Sequence, residues 1–431
     1  MAATTSGSGP CEGAGAPEWR RQAGALFCED VDAAELARRY GTPLYVYSAG
    51  VVRSRLRALR AAFGPRAEVC FAVKSNSNLS LLRLLHEEGC GFDLVSGGEL
   101  ERLRAAGLPT GKAVFAGVGK QPWEVEAAVA AGLLFFNVES PHELPLLAAA
   151  GEAAGAPVRV ALRLNPDVDP ETHAYISTGK DENKFGVALS RAGDLVAAIH
   201  AEPWLELVGY HVHLGSQLHS VRPYREALDR VLEFVDGDAR RADGVRFYDL
   251  GGGFGISYGE GDALDVAAVA AALLPDLEAR GWTPVIEPGR YLVGDAGALL
   301  TSVLGEKAQG RARFLLVDAA MNDLMRPALY QAEHPIVPVL ARPSADERQV
   351  DVVGPVCETG DFLGRARTLP SMDRGDLLAV LAAGAYGASM ASNYNSRPKP
   401  AEVLVDGGVA RLVRRRETFE GMFADELETD R

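Results

Sequence analysis

The chain has 431 residues, of which 47% are hydrophobic and 24% are charged. Single hydrophobic cores stop growing at about 250–300 residues, so this length favours two globular domains. The 44 Lys and Arg residues against 58 Asp and Glu residues give a net charge of -14, which argues against nucleic acid or an anionic membrane as a partner.

The first part of the chain has a polar, small-residue composition. Residues 1–25 contain neither the basic nor the apolar segment of a signal peptide, so we predict a disordered N-terminal tail. No uninterrupted apolar run reaches about 18 residues, so no membrane-spanning helix is expected. The five cysteines are scattered and never spaced as CxxC, which favours a reduced, cytoplasmic protein without a disulfide framework or structural zinc.

From about residue 67, short apolar segments alternate with amphipathic segments of helical period that often end at glycine. The strand-like segments are 67–74, 91–96, 113–117, 134–140, 158–165, 205–213, 245–250 and 284–288. Eight βα units in about 230 residues predict a (β/α)8 TIM-type barrel over residues 49–295, rather than an open doubly wound sheet.

After residue 296 the pattern changes to alternating strands with few helical segments. Because the connections are short, we predict a second, mainly antiparallel β domain over residues 296–431. Residues 26–48, which include the strand-like PLYVYS (43–48), precede the barrel and are expected to join this β domain.

Catalytic groups of such barrels lie at the carboxyl ends of the strands. The first predicted strand ends in Lys74, after the apolar sequence VCFAV. A lysine here could simply extend its amine to solvent. Alternatively, an amine partly removed from water could form a Schiff base with a carbonyl compound.

A glycine run and an acidic residue end the last two predicted strands. Gly251, Gly252 and Gly253 follow the seventh strand, and EPGR, which begins with Glu287, ends the eighth. Glycines in these loops let backbone N–H groups approach a phosphate closely. A phosphate site, the amine of Lys74 and a carboxylate able to pair with a pyridinium nitrogen together predict pyridoxal 5'-phosphate.

Two histidines lie in HVHLGSQ at the end of the sixth predicted strand. His211 and His213 would point to the same face of an extended segment and could bind zinc, as in a metal-dependent hydrolase. We favour a different interpretation, in which His213 lies flat against a cofactor ring and His211 supports it. For His211, an ordinary hydrogen-bonded core histidine is at least equally consistent with the sequence.

Ordered motifs along nearly the whole chain resemble the diaminopimelate decarboxylase family, a group of fold-type III pyridoxal-phosphate enzymes. The motifs are FAVKSNSN, FDLVSGGEL, NPDVDPETHAYISTG with KFG, HVHLGSQ, DLGGGFG, EPGR, DAAMNDLMRPALY, GPVCETGD and GAYGASMASNYNSRP. The resemblance covers residues from about 27 to 403 and implies an alanine racemase-like architecture of a barrel with a β domain. FAVKSN departs mildly from the family, which more often has tyrosine first and alanine after the lysine.

The resemblance implies roles for matching residues around the cofactor. Lys74 would bond to the cofactor aldehyde, His213 would stack on its ring, and Glu287 would pair with the ring nitrogen. The implied cofactor-binding residues are Lys74, Asp93, His213, Ser216, Gly251, Gly252, Gly253, Glu287, Pro288, Gly289, Arg290 and Tyr386.

The resemblance also implies a substrate site and a proton donor. The implied substrate-binding residues are Arg290, Arg326, Tyr330, Glu358 and Tyr386. The arginines and Tyr330 would bind the distal carboxylate of the substrate, for which a planar guanidinium is well suited. Glu358 would contact the distal amino group. Cys357 matches the family's proton donor, and a thiol is ordinarily protonated near neutral pH.

The implied reaction is pyridoxal-phosphate-dependent decarboxylation of meso-2,6-diaminopimelate to L-lysine and CO2, the last step of lysine biosynthesis, without a metal. Two alternatives remain: a related decarboxylase acting on ornithine, arginine or D-lysine, and a non-catalytic pyridoxal-phosphate-binding protein. In the family, the segment GPVCETGD reaches the active site of the neighbouring subunit. We therefore expect a homodimer in which Cys357 and Glu358 complete sites shared between subunits.

Overall fold

The structure, a computed structural model, describes residues 19–169, 184–259, 261–342 and 346–429. It divides into two compact units. The barrel unit comprises Arg53–Ile256 and Ala263–Leu292, and the β unit comprises the rest of the described chain. No helix in these ranges is long and apolar enough to cross a membrane.

Twenty-one strands lie in the described ranges. In chain order they are β1 (Trp19–Gln22), β2 (Ala25–Cys28), β3 (Val31–Asp32), β4 (Leu44–Ser48), β5 (Glu68–Ala72), β6 (Gly91–Leu94), β7 (Ala113–Phe115), β8 (Phe135–Val138), β9 (Val158–Asn165), β10 (Val187–Ala188), β11 (Leu205–His211), β12 (Phe247–Asp249), β13 (Thr283–Ile286), β14 (Gly297–Gln309), β15 (Ala312–Val317), β16 (Ile336–Pro338), β17 (Glu347–Val353), β18 (Phe362–Pro370), β19 (Leu377–Val380), β20 (Ala401–Asp406) and β21 (Val409–Arg414).

The same described residues include α-helices of 4 to 15 residues. In chain order they are α1 (Ala33–Tyr40), α2 (Ala49–Phe63), α3 (Leu79–Glu87), α4 (Gly97–Ala106), α5 (Pro122–Ala130), α6 (Glu143–Ala154), α7 (Leu189–Ala201), α8 (Arg222–Asp236), α9 (Val266–Ala279), α10 (Arg290–Val293), α11 (Arg326–Tyr330) and α12 (Phe419–Thr429). Short 3₁₀ turns lie at Val73–Ser75, Ala239–Arg241, Ala388–Met390 and Tyr394–Ser396.

The barrel unit contains a closed barrel of eight parallel strands. Going round, the strands are β5, β6, β7, β8, β9, β11, β12 and β13, and β13 pairs with β5. Strands buried on both faces are expected to be largely apolar, and β6, β7 and β8 are buried at every position, with Asp93 and Asn137 as the polar exceptions. This confirms the predicted fold class, with each predicted strand in its place.

Side-chain caps fix where several barrel helices begin. Asn78, Ser96 and Asp265 accept hydrogen bonds from backbone N–H groups in the first turns of α3, α4 and α9. Gly107 ends α4 in the left-handed conformation, which glycine adopts without steric cost. α3 and α4 therefore start close in the chain to the carboxyl ends of the strands that precede them, β5 and β6.

The main sheet of the β unit has the strand order β18, β17, β15, β14, β4, β20, β21. β4 lies in its middle, pairing antiparallel with β14 and parallel with β20, and all five of its residues are buried. β19 pairs antiparallel with β14 and with β16. β4, which precedes the barrel in the chain, therefore belongs to the same sheet as strands that follow the barrel.

The prediction of a disordered tail over residues 1–25 is wrong for residues 19–25, while residues 1–18 lie outside the described residues. β1 and β2 form an antiparallel hairpin in which Trp19 pairs with Cys28. The two-residue loop has positive φ at both Ala23 (49°) and Gly24 (84°), as a type I′ turn requires. Arg21 donates a hydrogen bond to the Gly24 carbonyl (3.0 Å), which holds the turn.

Candidate active site

The barrel lysine lies beside a buried carboxylate. Lys74 follows β5 in a 3₁₀ turn, and its Nζ donates to Oδ2 of Asp93, at 2.5 Å. The Lys74 side chain is 36% exposed, whereas Asp93, in β6, is fully buried. Burial and the nearby Glu287 raise the pKa of Asp93 to about 6, although Lys74 opposes this shift. The amine is thus both accessible and held in position.

A second buried carboxylate follows β13. Oε2 of Glu287 lies 3.4 Å from Nε2 of His211, and Nδ2 of Asn137 donates to Oε1 at 3.3 Å. Burial on its own would raise the pKa of Glu287, but His211 and Lys74 bring this pKa below its usual value. Glu287 therefore stays ionised, as a partner for a protonated ring nitrogen must be.

Asp249, the last residue of β12, has the opposite protonation state. Burial, followed by repulsion from Glu287, raises the pKa of Asp249 well above its ordinary value. Its Oδ1 accepts the N–H of Gly251 at 2.9 Å. His211, Asp249 and Glu287 bring potential metal-ligand atoms within 4.8 Å of one another. His213, which the zinc interpretation needed beside His211, is outside this set.

His213 is an uncharged ring at neutral pH. Burial, Arg163 and Lys74 all hold the pKa of His213 well below its ordinary value. Its Nδ1 accepts a hydrogen bond from the N–H of Gly252 at 3.2 Å, which fixes the ring orientation. A neutral, oriented imidazole is suited to lie against a flat heteroaromatic group.

The glycine run leaves no room for side chains. Gly251 and Gly253 have φ of 69° and 88°, in the left-handed region that favours glycine. A Cβ on Gly251 would lie 2.6 Å from the carbonyl oxygen of Val212 and 2.7 Å from Nδ1 of His213. A Cβ on Gly253 would lie 2.5 Å from the carbonyl oxygen of Gly215. Glycine is therefore required at these positions by the backbone conformation and by close packing.

Side-chain donors flank this run. Nη2 of Arg290, at the start of α10, donates to Oγ of Ser216 at 3.1 Å. Pro288 and Gly289 connect Glu287 to this arginine, and a Cβ on Gly289 would lie 3.0 Å from Cβ of Ser75. A guanidinium and a hydroxyl beside the glycine run form a donor set that matches a phosphate.

Arg163 and Glu139 form an ion pair at the carboxyl ends of β9 and β8, and the sequence alone predicts no role for this pair. Nη1 of Arg163 donates to Oε1 of Glu139 at 2.7 Å, and the guanidinium lies 4.8 Å from the ring centre of Phe185. Glu139 also accepts the N–H groups of Gly117 and Gly186, each at 3.0 Å. The pair thus joins three connections at the carboxyl ends of the strands.

Five of the predicted residues belong to the β unit. Arg326 begins α11, is 5% exposed, and its Nη1 donates to Nε2 of His334 at 2.8 Å. Tyr330 ends the same short helix and is half-buried. Tyr386 is also half-buried, and its φ of 56° is unusual for a residue with a side chain.

The remaining two, Cys357 and Glu358, are exposed in the turn between β17 and β18. The Cys357 N–H donates to Oδ1 of Asn395 at 3.0 Å, and the Tyr394 hydroxyl donates to Oε2 of Glu358 at 2.7 Å. Tyr394 and Asn395 are absent from the predicted site. Their signal is the sequence NYNS within GAYGASMASNYNSRP, a motif from which the resemblance implies a role only for Tyr386.

Within the barrel unit the structure brings together the predicted cofactor residues Lys74, Asp93, His213, Ser216, Gly251, Gly252, Gly253, Glu287, Pro288, Gly289 and Arg290. An accessible amine, an ionised carboxylate, a neutral imidazole and a glycine run flanked by guanidinium and hydroxyl donors fit the aldehyde, ring nitrogen, ring face and phosphate of pyridoxal 5'-phosphate. The profile of the pyridoxal-dependent decarboxylase, pyridoxal binding domain, matches residues 49–294. The fold and the site thus define a pyridoxal-phosphate-dependent decarboxylase.

Known proteins narrow the family further. A diaminopimelate decarboxylase from Neisseria meningitidis serogroup A is 48% identical over 403 residues, which is 93% of this chain and 99% of that protein. The Helicobacter pylori diaminopimelate decarboxylase, solved with L-lysine, is 40% identical, with a TM-score of 0.87 over 92% of this chain and 99% of that one.

The M. jannaschii diaminopimelate decarboxylase, also solved with L-lysine, is 35% identical, with a TM-score of 0.90 over 95% of this chain and 98% of that one. This chain belongs to the diaminopimelate decarboxylase family. The predicted family and cofactor are confirmed, and membership in a decarboxylase family excludes the metal-hydrolase interpretation.

Proposed function

We propose that this chain decarboxylates meso-2,6-diaminopimelate to L-lysine and CO2, as the last step of lysine biosynthesis. The observation that carries the proposal is the ionised, buried Glu287 in the same barrel mouth as the Lys74 amine, in a chain of this family. A non-catalytic protein has no need to keep a costly buried charge at this point.

Pyridoxal phosphate, when bound, supplies a ring that accepts the electrons of the breaking carbon–carbon bond. Residues of the barrel unit bind the cofactor and set its protonation state for this reaction. Lys74 holds the aldehyde group, Glu287 keeps a proton on the ring nitrogen, and the neutral imidazole of His213 covers the ring face. Ser216, Arg290 and the glycine run hold the phosphate.

The substrate's two ends require different treatment. Because the product is L-lysine, the L end of the meso compound keeps its carboxylate, and the D end loses it. We assign the distal L carboxylate to Arg290, Arg326 and Tyr330, since guanidinium groups bind carboxylates with two parallel hydrogen bonds. Glu358 binds the distal ammonium group, and Tyr386 contacts the cofactor or the substrate.

Loss of CO2 must be balanced by one proton at the carbon that carried the carboxylate. We assign this proton to the thiol of Cys357, which is exposed and whose backbone N–H is held by Asn395. A thiol is a suitable acid because it is ordinarily protonated near neutral pH.

We further propose that Cys357 and Glu358 act in the neighbouring subunit of a homodimer, so that each site is shared. Both residues are exposed in a surface turn of the β unit, as residues that reach a partner must be. Mixing a Lys74→Ala chain with a Cys357→Ala chain should restore activity in one of the two heterodimer sites. Absence of recovery after proven subunit exchange contradicts sharing.

We also place the protein in the cytoplasm. The described cysteines Cys28, Cys70, Cys90 and Cys357 are all free thiols. Free thiols persist in a reducing compartment. Fractionation of cells that express the tagged chain tests this location, and recovery in an extracytoplasmic fraction contradicts it.

A substrate panel tests the proposed reaction. The purified, cofactor-loaded protein should release CO2 from meso-diaminopimelate far faster than from ornithine, arginine or D-lysine. D-Lysine is the sharpest comparison because it keeps the reacting D end and the distal amine but lacks the distal carboxylate. Equal kcat/KM for D-lysine and meso-diaminopimelate contradicts the assignment of the distal carboxylate site.

A further inference from the structure

We propose that His334 is a positioning residue that sets the guanidinium of Arg326 for the distal carboxylate of the substrate. The proposal rests on the function proposed above, in which Arg326 binds that carboxylate. It adds a residue that the sequence did not single out, in the connection between α11 and β16 of the β unit.

The hydrogen bonds around His334 fix its tautomer. His334 is fully buried, and its Nδ1 lies 2.9 Å from the carbonyl oxygen of Leu381. A carbonyl oxygen only accepts, so Nδ1 carries the proton and donates it. Nε2 therefore presents a lone pair, and it accepts an N–H from Nη1 of Arg326 at 2.8 Å. Both ring nitrogens are used, and the ring is neutral.

An aromatic ring holds the same two side chains from another side. The guanidinium carbon of Arg326 lies 4.8 Å from the ring centre of Tyr258, and the Tyr258 and His334 rings meet edge to face at 5.2 Å. Arginine stacks favourably on such a ring. Tyr258 and His334 thus both contact the guanidinium of Arg326 and restrict its position.

This arrangement suits carboxylate recognition. The neutral imidazole of His334 orients the guanidinium and itself adds no negative charge beside it. Pre-orientation also lowers the side-chain entropy lost when a planar carboxylate binds. His334 therefore contributes to affinity for the distal carboxylate without touching it.

Two substitutions separate this role from simple packing. His334→Gln can place its side-chain oxygen near the position of Nε2, which keeps an acceptor for Arg326. His334→Asn can place its amide N–H near Nδ1, which keeps the bond to Leu381 but removes the acceptor. The two variants therefore keep opposite halves of the same connection and serve as matched controls for each other.

The measurements are KM and kcat for meso-diaminopimelate, and inhibition constants for L-lysine and cadaverine, which lacks the carboxylate. A hydrogen bond to a charged group predicts that His334→Asn raises KM and the L-lysine constant about tenfold to a hundredfold. Its kcat should stay within about threefold of wild type, since the contact is made before and during the reaction alike. His334→Gln should recover most of the loss, and cadaverine inhibition should not change.

Three results would overturn the proposal: equal losses in the Asn and Gln variants, equal weakening of cadaverine and L-lysine, or a loss confined to kcat. If the Asn variant fails to fold, the Gln variant still tests the proposal, because its cadaverine constant should match wild type and its L-lysine constant should stay close to wild type. Equal weakening of both constants in the Gln variant would overturn the proposal. Failure of the proposed function looks different. In that case the wild-type protein itself releases no L-lysine from meso-diaminopimelate.

Discussion

Replacing Gly251 by alanine should damage the cofactor site through crowding. The new Cβ would lie 2.6 Å from the Val212 carbonyl oxygen and 2.7 Å from Nδ1 of His213, whereas ordinary contacts begin at 3.4 Å. The backbone or the imidazole must therefore move by most of an ångström. Overpacking of this kind costs about 1–3 kcal/mol, and the left-handed φ of 69° adds about 1–2 kcal/mol for alanine.

Gly107→Ala is the matched control. Gly107 lies in the same unit at φ 71°, so alanine pays the same left-handed penalty, but nothing lies within 4 Å of its Cβ. The difference between the two variants therefore isolates the crowding. Urea unfolding should place Gly251→Ala about 1–3 kcal/mol below Gly107→Ala.

Titration with pyridoxal phosphate, followed by absorbance, completes this experiment. Gly251→Ala should lose about fivefold to a hundredfold in cofactor affinity, because the crowding falls on the glycine run and on His213. Gly107→Ala should bind like wild type, since α4 ends there in open space. Equal cofactor affinity in Gly251→Ala and Gly107→Ala would refute the reasoning that close packing of this loop shapes the site.

Three further predictions concern the lysine, its carboxylate partner and the exposed turn. Lys74→Ala should lose the absorbance band of covalently bound cofactor, and persistence of that band would place the bond elsewhere. The pKa of Asp93 is raised from 3.8 to about 6, so the folded protein keeps a proton that the unfolded chain has lost. Asp93's contribution to stability should therefore be greatest below pH 4 and should fall as the pH rises through 6. In the cofactor-free protein, Asp93→Asn should gain about 3 kcal/mol relative to wild type between pH 4 and pH 7, measured by urea unfolding, and a pH-independent difference would contradict this. Tyr394→Phe removes a hydrogen bond to Glu358 and should raise KM for meso-diaminopimelate about twofold to tenfold. An unchanged KM would show that this hydrogen bond does not contribute to substrate binding.

The barrel can be predicted from the sequence because the patterns that indicate its strands and helices are local. Each strand is a short apolar segment and each polar strand end follows it directly, as with Lys74 after β5 and Glu287 after β13. The pleat and the parallel order then bring these residues to one end of the barrel. Periodicity and chain order therefore predict Lys74 and Glu287 at strand ends, whereas the other proposed cofactor residues rest mostly on the family resemblance.

Residues whose neighbours are distant in the sequence were missed. Asn395 meets Cys357 across 38 positions, and His334 meets the Leu381 carbonyl across 47 positions. The sequence does not predict a role for Asp249, because its raised pKa depends on burial and on Glu287, which a neighbouring strand brings close. Local patterns carry no information on such pairs, since they depend on tertiary packing.

The N-terminal hairpin was missed for a different reason. Its turn has alanine at the first position with positive φ, where asparagine or aspartate is the usual signal. Its strands are only four residues long and half of β1 is exposed, so their alternation is weak. The polar, small-residue composition of residues 1–25 therefore predicts a tail that runs to residue 25, although β1 begins at Trp19.

The most direct test of the central claim is product analysis with the purified, cofactor-loaded protein and meso-diaminopimelate as the sole substrate. Chiral chromatography should find L-lysine and no D-lysine, and the amount of CO2 released should equal the amount of L-lysine. Lys74→Ala should produce neither L-lysine nor CO2. Formation of D-lysine, release of CO2 without lysine, or undiminished turnover by Lys74→Ala would contradict the account.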